Sequence, residues 1–170
     1  MESTETLLTD FRSELAKMVG LPCVKVAGVV GVGSMITILL GKPFTRVLRF
    51  KGGREFSFTD ADVAILPQHA AWRIDAPHGI ACSSTSSNDP GGHLESGATA
   101  LEGRRVVSVL LSGGALDLSV EFEGGYWFRI FCDQTNEVDL FHNYHFRAAD
   151  KIYVVECSSR LSVECGSGAT

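Results

Sequence analysis

His142-Asn143-Tyr144-His145 is the densest histidine group in the chain, and Glu137 and Asp139 stand just before it. Imidazole and carboxylate together are common ligands for first-row metals. On a helix, metal-binding histidines take a spacing of four with a glutamate between them; here the spacing is three and that glutamate is missing. A loop could still bring Asp139, His142 and His145 onto one ion. Two histidines alone do not make a site, so the competing reading leaves them exposed or hydrogen-bonded to backbone. No cofactor is expected, and metal is carried only as this alternative.

Asp60-Ala61-Asp62 and, later, Asp133 with Glu137 and Asp139 follow the second strand of two hairpins. Paired carboxylates perform acid–base chemistry when burial separates their pKa values. Nothing in the sequence marks these as buried, so they read as solvated loops; the functional alternative is an acidic patch that meets a basic partner. For nucleophilic catalysis the chain lacks a Gly-x-Ser-x-Gly elbow. Gly28-Val29-Val30-Gly31-Val32-Gly33 lacks both the third glycine of a dinucleotide loop and the Lys-Ser/Thr ending of a phosphate loop. The five cysteines, Cys23, Cys82, Cys132, Cys157 and Cys165, form no Cys-x-x-Cys pair and read as reduced packing residues. No catalytic residue is nominated. Trp72, Tyr126, Trp127 and Phe141 could supply an aromatic recognition surface, with Trp127 pointing opposite to its neighbours on a strand; core packing is the competing role.

The elements that must position these residues begin with a helix. Leu7, Leu8, Phe11, Leu15 and Met18 lie on one helical face between residues 4 and 19, Ser3 can cap the start, and Gly20 with Pro22 ends it. Its apolar stripe should lie on a sheet. From Cys23 the pattern turns to strands. Val26 to Leu40 is apolar but broken by small residues and shorter than a bilayer requires, so it reads as buried strand. Leu116 to Phe122 alternates strictly between apolar and polar residues. The turn Glu123-Gly124-Gly125 joins it to Tyr126–Cys132, apolar enough to be central and covered on both sides. Phe44 to Phe50, the turn Lys51-Gly52-Gly53 and Arg54 to Phe58 repeat that hairpin design.

The phenylalanines before the two turns, Phe50 and Phe122, are 72 positions apart. Trp72-Arg73 and Phe146-Arg147 are 74 apart, and Cys82-Ser83-Ser84 and Cys157-Ser158-Ser159 are 75 apart. Three landmarks in one order suggest an internal repeat with small loop insertions. The resulting division is an N-terminal helix (1–22), a first β unit (23–82), a linker or long loop rich in Ser and Gly (83–99), a second β unit (100–165) and a disordered tail (166–170). The fold class is mainly β (α+β): an N-terminal amphipathic helix followed by two related antiparallel units, arranged as a sandwich or partly closed barrel.

At 170 residues, 45% hydrophobic and a mean hydropathy of +0.13, the chain can bury a real core. A net charge of −5 argues against a broad phosphate-binding surface, hence no nucleic-acid partner. The acidic start, Met1-Glu2-Ser3-Thr4-Glu5, is unlike a secretory signal, and the expectation is a cytoplasmic protein with no membrane partner. The Leu101-Glu102-Gly103-Arg104-Arg105-Val106 opening and the Phe-x-x-Gly hairpin give residues 101 to 163 a resemblance to uncharacterised small bacterial β-rich families. Some of these look like immunity proteins encoded beside polymorphic toxins. The resemblance carries no catalytic residues; it implies a protein-binding module, a toxin-neutralising immunity protein, whose partner is a basic toxin domain. Asp60, Asp62, Asp133, Glu137, Asp139 and Trp127 are the candidate contact residues. The alternative function is a metal- or small-ligand-binding β protein, conceivably an enzyme, built around Asp139, His142 and His145.

Overall fold

In the computed structural model, which describes residues 4–30, 35–133 and 142–165, α1 (Thr4–Ala16) forms where the apolar spacing places it. Phe11, Leu15 and Met18 are buried, and Leu7 and Leu8 pack against the same core. The helix ends one turn earlier than the spacing suggests. Lys17, Met18 and Val19 each donate to the carbonyl three residues back, a tightened last turn that leads to Gly20 at φ +87°.

Eleven strands follow among the described residues: β1 (Cys23–Ala27), β2 (Thr37–Arg49), β3 (Glu55–Pro67), β4 (Ala71–Ala76), β5 (Gly79–Ser83), β6 (Val106–Leu111), β7 (Leu118–Phe122), β8 (Tyr126–Phe131), β9 (His142–Ala148), β10 (Lys151–Glu156) and β11 (Leu161–Cys165). They form two wholly antiparallel sheets, ordered β1-β2-β3-β9-β10-β11 and β5-β4-β8-β7-β6. The inward side chains of both, including Ile38, Leu40, Ile65 and Phe146 from one and Trp72, Ile74, Leu118 and Phe128 from the other, join one core. The arrangement is a sandwich, not a barrel, since neither sheet closes. Helix α1 lies against β11 and β6, the edge strands on one side. Its Phe11 ring stacks on Tyr153 at 5.1 Å and tilts against Phe146 at 5.8 Å.

The stretch from 83 to 99, expected as a linker or long loop, contains α2 (His93–Thr99). Leu94, Gly97 and Ala98 are buried, and the helix packs on β5 and β1, the opposite pair of edge strands. Each of the two expected β units contributes strands to both sheets: β3 pairs with β9, and β4 with β8. Exchanging the halves maps β1-β2-β3-β9-β10 onto β6-β7-β8-β4-β5. The same exchange relates the hydrogen bonds where the halves meet. Gly20 N–H donates to the Val106 carbonyl and Gly103 N–H to that of Cys23, while Cys23 N–H donates to Arg104 and Val106 N–H to Leu21.

Two strand boundaries differ from the alternation. The strand expected from Leu116 begins at Leu118, because Leu116 takes φ +59°, outside the β region. Its carbonyl instead accepts the Tyr144 hydroxyl at 2.9 Å. Strand β8 is central as expected, third of five, and its outward Trp127 and Phe131 are overlaid by the Arg129 and Arg73 guanidinium groups, both held by Asp75.

Candidate functional site

The first hairpin is far longer than its sequence core implies, and this is what sets it apart from the second. Strand β1 pairs with β2 only as far as Leu40, and β9 pairs with β3 only from Val63. Beyond those points β2 and β3 bond to each other alone, from Pro43↔Ala61 to Arg49↔Glu55. Seven steps of extended chain from Pro43 to Phe50 project about 23 Å at the usual rise of ~3.3 Å per residue. The second hairpin has no such arm: β6 pairs with β7 up to Phe122 and β4 with β8 up to Trp127.

The arm's root is fixed by polar contacts. A bulge lies between Leu40 and Pro43, with Gly41 at φ +95°. A Cβ there would come within 2.8 Å of the Asp62 carboxylate, which accepts the Lys42 N–H at 2.7 Å. Beside it, Asp60 is buried and held by two guanidinium groups, Arg46 at 3.1 Å and Arg147 of β9, which also donates to the Ala61 carbonyl. At the tip, Phe50 N–H donates to the Arg54 carbonyl at 2.9 Å, and Gly52 and Gly53 supply positive φ for the turn.

Residues opposite one another on paired strands share a face. The pairs Phe44↔Asp60, Arg46↔Phe58 and Leu48↔Phe56 therefore put Phe44, Leu48, Phe56 and Phe58 on one side of the arm together with the Arg46–Asp60 ion pair, with the other side carrying Thr45, Val47, Arg49, Glu55, Ser57 and Thr59. Phe56 and Phe58 stack along the strand at 6.0 Å. Phe44, Leu48, Phe50 and Phe56 are 42%, 43%, 57% and 58% exposed. Val47, on the other side, is also exposed. Scattered exposed apolar residues are ordinary; five on one narrow ribbon are a patch.

Of the residues expected to meet a partner, the four that are described divide between the two sheets, Asp60 and Asp62 in one and Trp127 with the following Asp133 in the other. Asp60 and Asp62 belong to β3, not to a solvated loop, and Asp60 is spent on its two arginines. Asp62 is exposed but braces the bulge. Asp133 is exposed after β8, in the other sheet, and Glu137 and Asp139 lie outside the described residues. Trp127 is half-buried, with the Arg129 guanidinium 4.6 Å from its ring centre. Trp72 is core, and Phe141 lies outside the described residues. The arm's phenylalanines were legible as hairpin residues. Their exposure was not, since it depends on where β1 and β9 stop pairing.

His142 Nδ1 and His145 Nε2 are 2.8 Å apart, so one ring donates to the other. Burial, then the neighbouring His142, pulls the His145 pKa below its ordinary 6.5, with Glu164 opposing. Among the described residues no group of three His, Cys, Asp or Glu side chains is gathered around a point where a metal could sit, and Asp139 lies outside them. Burial pushes the Cys23, Cys82 and Cys132 thiols up to about 12, the opposite of what a reactive thiolate needs. No helix among the described residues is long and apolar enough to cross a membrane. No family model, curated protein or solved structure matches the chain.

Proposed function

We propose that this chain is a non-catalytic protein-binding module and that the β2–β3 arm is its binding element. The observation that carries the reading is the arm's exposed apolar face, Phe44, Leu48 and Phe56 with Phe50 at the tip. An isolated two-stranded ribbon is marginal in water, and covering this face by a partner would remove apolar area that the fold leaves wet. The finer form of the proposal is a toxin-neutralising immunity protein, supported by small size and by the resemblance of residues 101 to 163. The matching strand order of the two halves, with the reciprocal bonds of Gly20 and Gly103, supports descent from one duplicated unit. On that reading the arm is an elaboration of one copy.

Between Pro43 and Ala61 the arm carries four cations, Arg46, Arg49, Lys51 and Arg54, against two carboxylates, Glu55 and Asp60, a net charge of +2. A docking surface of this sign selects an acidic partner face, the reverse of the basic toxin domain that the acidic loops suggested. The test compares proteins retained from source cells by the wild-type chain and by Phe50→Ser/Phe56→Ser. A specific partner lost at least tenfold in the variant is the expected result. Equal retention by a folded variant would remove the arm from the binding role.

A further inference from the structure

In an antiparallel ladder alternate pairs exchange both backbone bonds, and the pairs between them turn their N–H and C=O groups to the outer edges. Phe50 N–H donates to the Arg54 carbonyl, so Leu48↔Phe56, Arg46↔Phe58 and Phe44↔Asp60 are the bonded pairs of the arm. Thr45, Val47 and Arg49 therefore point their backbone groups out of one edge, and Glu55, Ser57 and Thr59 out of the other. All six residues are exposed. We infer that the β3 edge from Glu55 to Thr59 is a strand-addition site: an extended segment of another protein pairs antiparallel with it, in line with β9, as a third strand of the arm. This rests on the arm being the binding element and names how it binds and what kind of segment it takes.

The chain itself fills the first rung of that edge, with side chains. Where β9 stops pairing, the Ala61 carbonyl accepts from Arg147 Nη2 at 3.1 Å and the Ala61 N–H donates to Asp60 Oδ1 at 2.8 Å. A guanidinium and a carboxylate stand there for the donor and acceptor of a neighbouring strand. The next outward residues, Thr59, Ser57 and Glu55, have no partner for either backbone group among the described residues. The two edges differ in how far they discourage a neighbour. On β2 the bulge at Gly41, the charge of Lys42 and Pro43, which has no N–H, stand at the root. Between Glu55 and Thr59 there is no bulge, proline or lysine. A strand added to β3 lays alternate side chains beside Phe56 and Phe58, which already stack at 6.0 Å, and the others beside Glu55, Ser57 and Thr59. The segment that fits has aromatic or β-branched residues alternating with polar ones, its backbone supplying affinity and the phenylalanine face reading its side chains. Each arm carries +2, so two arms set edge to edge repel, and the segment comes from a different protein. A third strand also turns the projecting ribbon into a sheet, whereas two strands alone are marginal in water.

The test selects random phage-displayed peptides against the full chain and measures the enriched ones by fluorescence anisotropy. The expected peptides alternate apolar and polar residues and, by nuclear magnetic resonance, slow the amide exchange of Glu55, Ser57 and Thr59 while leaving Val47 unprotected. Ser57→Pro removes one outward N–H and no bond of the arm's own ladder, and it should raise their dissociation constant at least tenfold. Val47→Pro, the matching change on the β2 edge, should leave it within twofold. Equal binding by Ser57→Pro and the wild type, an equal loss from Val47→Pro, protection of β2 instead of β3, or no enrichment would each overturn the inference. So would a wild-type chain that sediments as a dimer and becomes a monomer in Ser57→Pro, since the edge would then belong to a second copy. The two readings fail separately. A cellular partner lost on Phe50→Ser/Phe56→Ser but retained by Ser57→Pro leaves the arm a binding element that works by its apolar face, and overturns strand addition alone.

Discussion

Asp60 shows how burial changes what a residue can do. In the sequence it is one of two carboxylates beside an alanine; in the fold it is enclosed by Arg46 and Arg147 at the root of the arm. A buried carboxylate with two guanidinium partners ties β3 to β9 where their pairing begins, and it has no charge to spare for a partner. The histidine pair is similar. His145 is half-buried beside His142, and its depressed pKa means that the folded state binds its proton less readily than the unfolded chain does. That contribution to stability is complete above the unfolded pKa near 6.5 and declines as pH falls below it, until the folded-state pKa is passed. Urea denaturation between pH 8 and pH 5 should therefore show wild-type stability falling on the acid side, with His145→Gln giving a flatter profile. Equal slopes for the two proteins would mean that this pair does not couple to folding.

At the scale of elements, α2 is made by packing and not by propensity. It has seven residues, one of them glycine, in a segment whose composition reads as linker, and helices this short do not persist alone. Leu94 and Ala98, one helical turn apart, are buried, and Gly97 sits so close to β5 that an added Cβ would lie 2.6 Å from the Ala81 carbonyl oxygen. Gly97→Ala should lower the unfolding free energy by about 1–3 kcal/mol, the range for overpacking a tight contact, as read from the urea midpoint. An unchanged midpoint would show that α2 is not pressed on the sheet. Local pattern made α1, the two glycine turns and the alternating strand β7 legible in the sequence. Three features needed distant strands before they could exist: α2, which packs on β5 and β1; the turn at Leu116, whose carbonyl meets Tyr144 28 residues on in the same half; and the unpaired length of β2 and β3, set by where β1 and β9 stop. The Gly20-Leu-Pro-Cys-Val and Gly103-Arg-Arg-Val-Val stretches did carry a signal for the crossing of the halves. It lies at a spacing of 83 instead of 72 to 75, and so falls outside the hairpin frame.

At the scale of the whole molecule, two interleaved halves enclose one core, with α1 and α2 closing opposite sides of the sandwich. Interleaving makes each half incomplete alone, because every sheet needs strands from both. Against that near-symmetric body the arm stands out: it belongs to one half, extends past the pairing of both neighbouring strands, and concentrates phenylalanine and positive charge on an otherwise acidic protein. The candidate site was therefore legible as a hairpin and illegible as a surface. Site-specific photocrosslinking tests the claim that this arm makes the molecule's protein contacts. A benzophenone side chain replacing Phe50 in the full chain, irradiated in source cells, should yield a discrete protein adduct. The same probe replacing Thr85, in the turn after β5 of the other sheet, should yield none. No adduct from position 50, or equal adducts from both positions, would contradict the account.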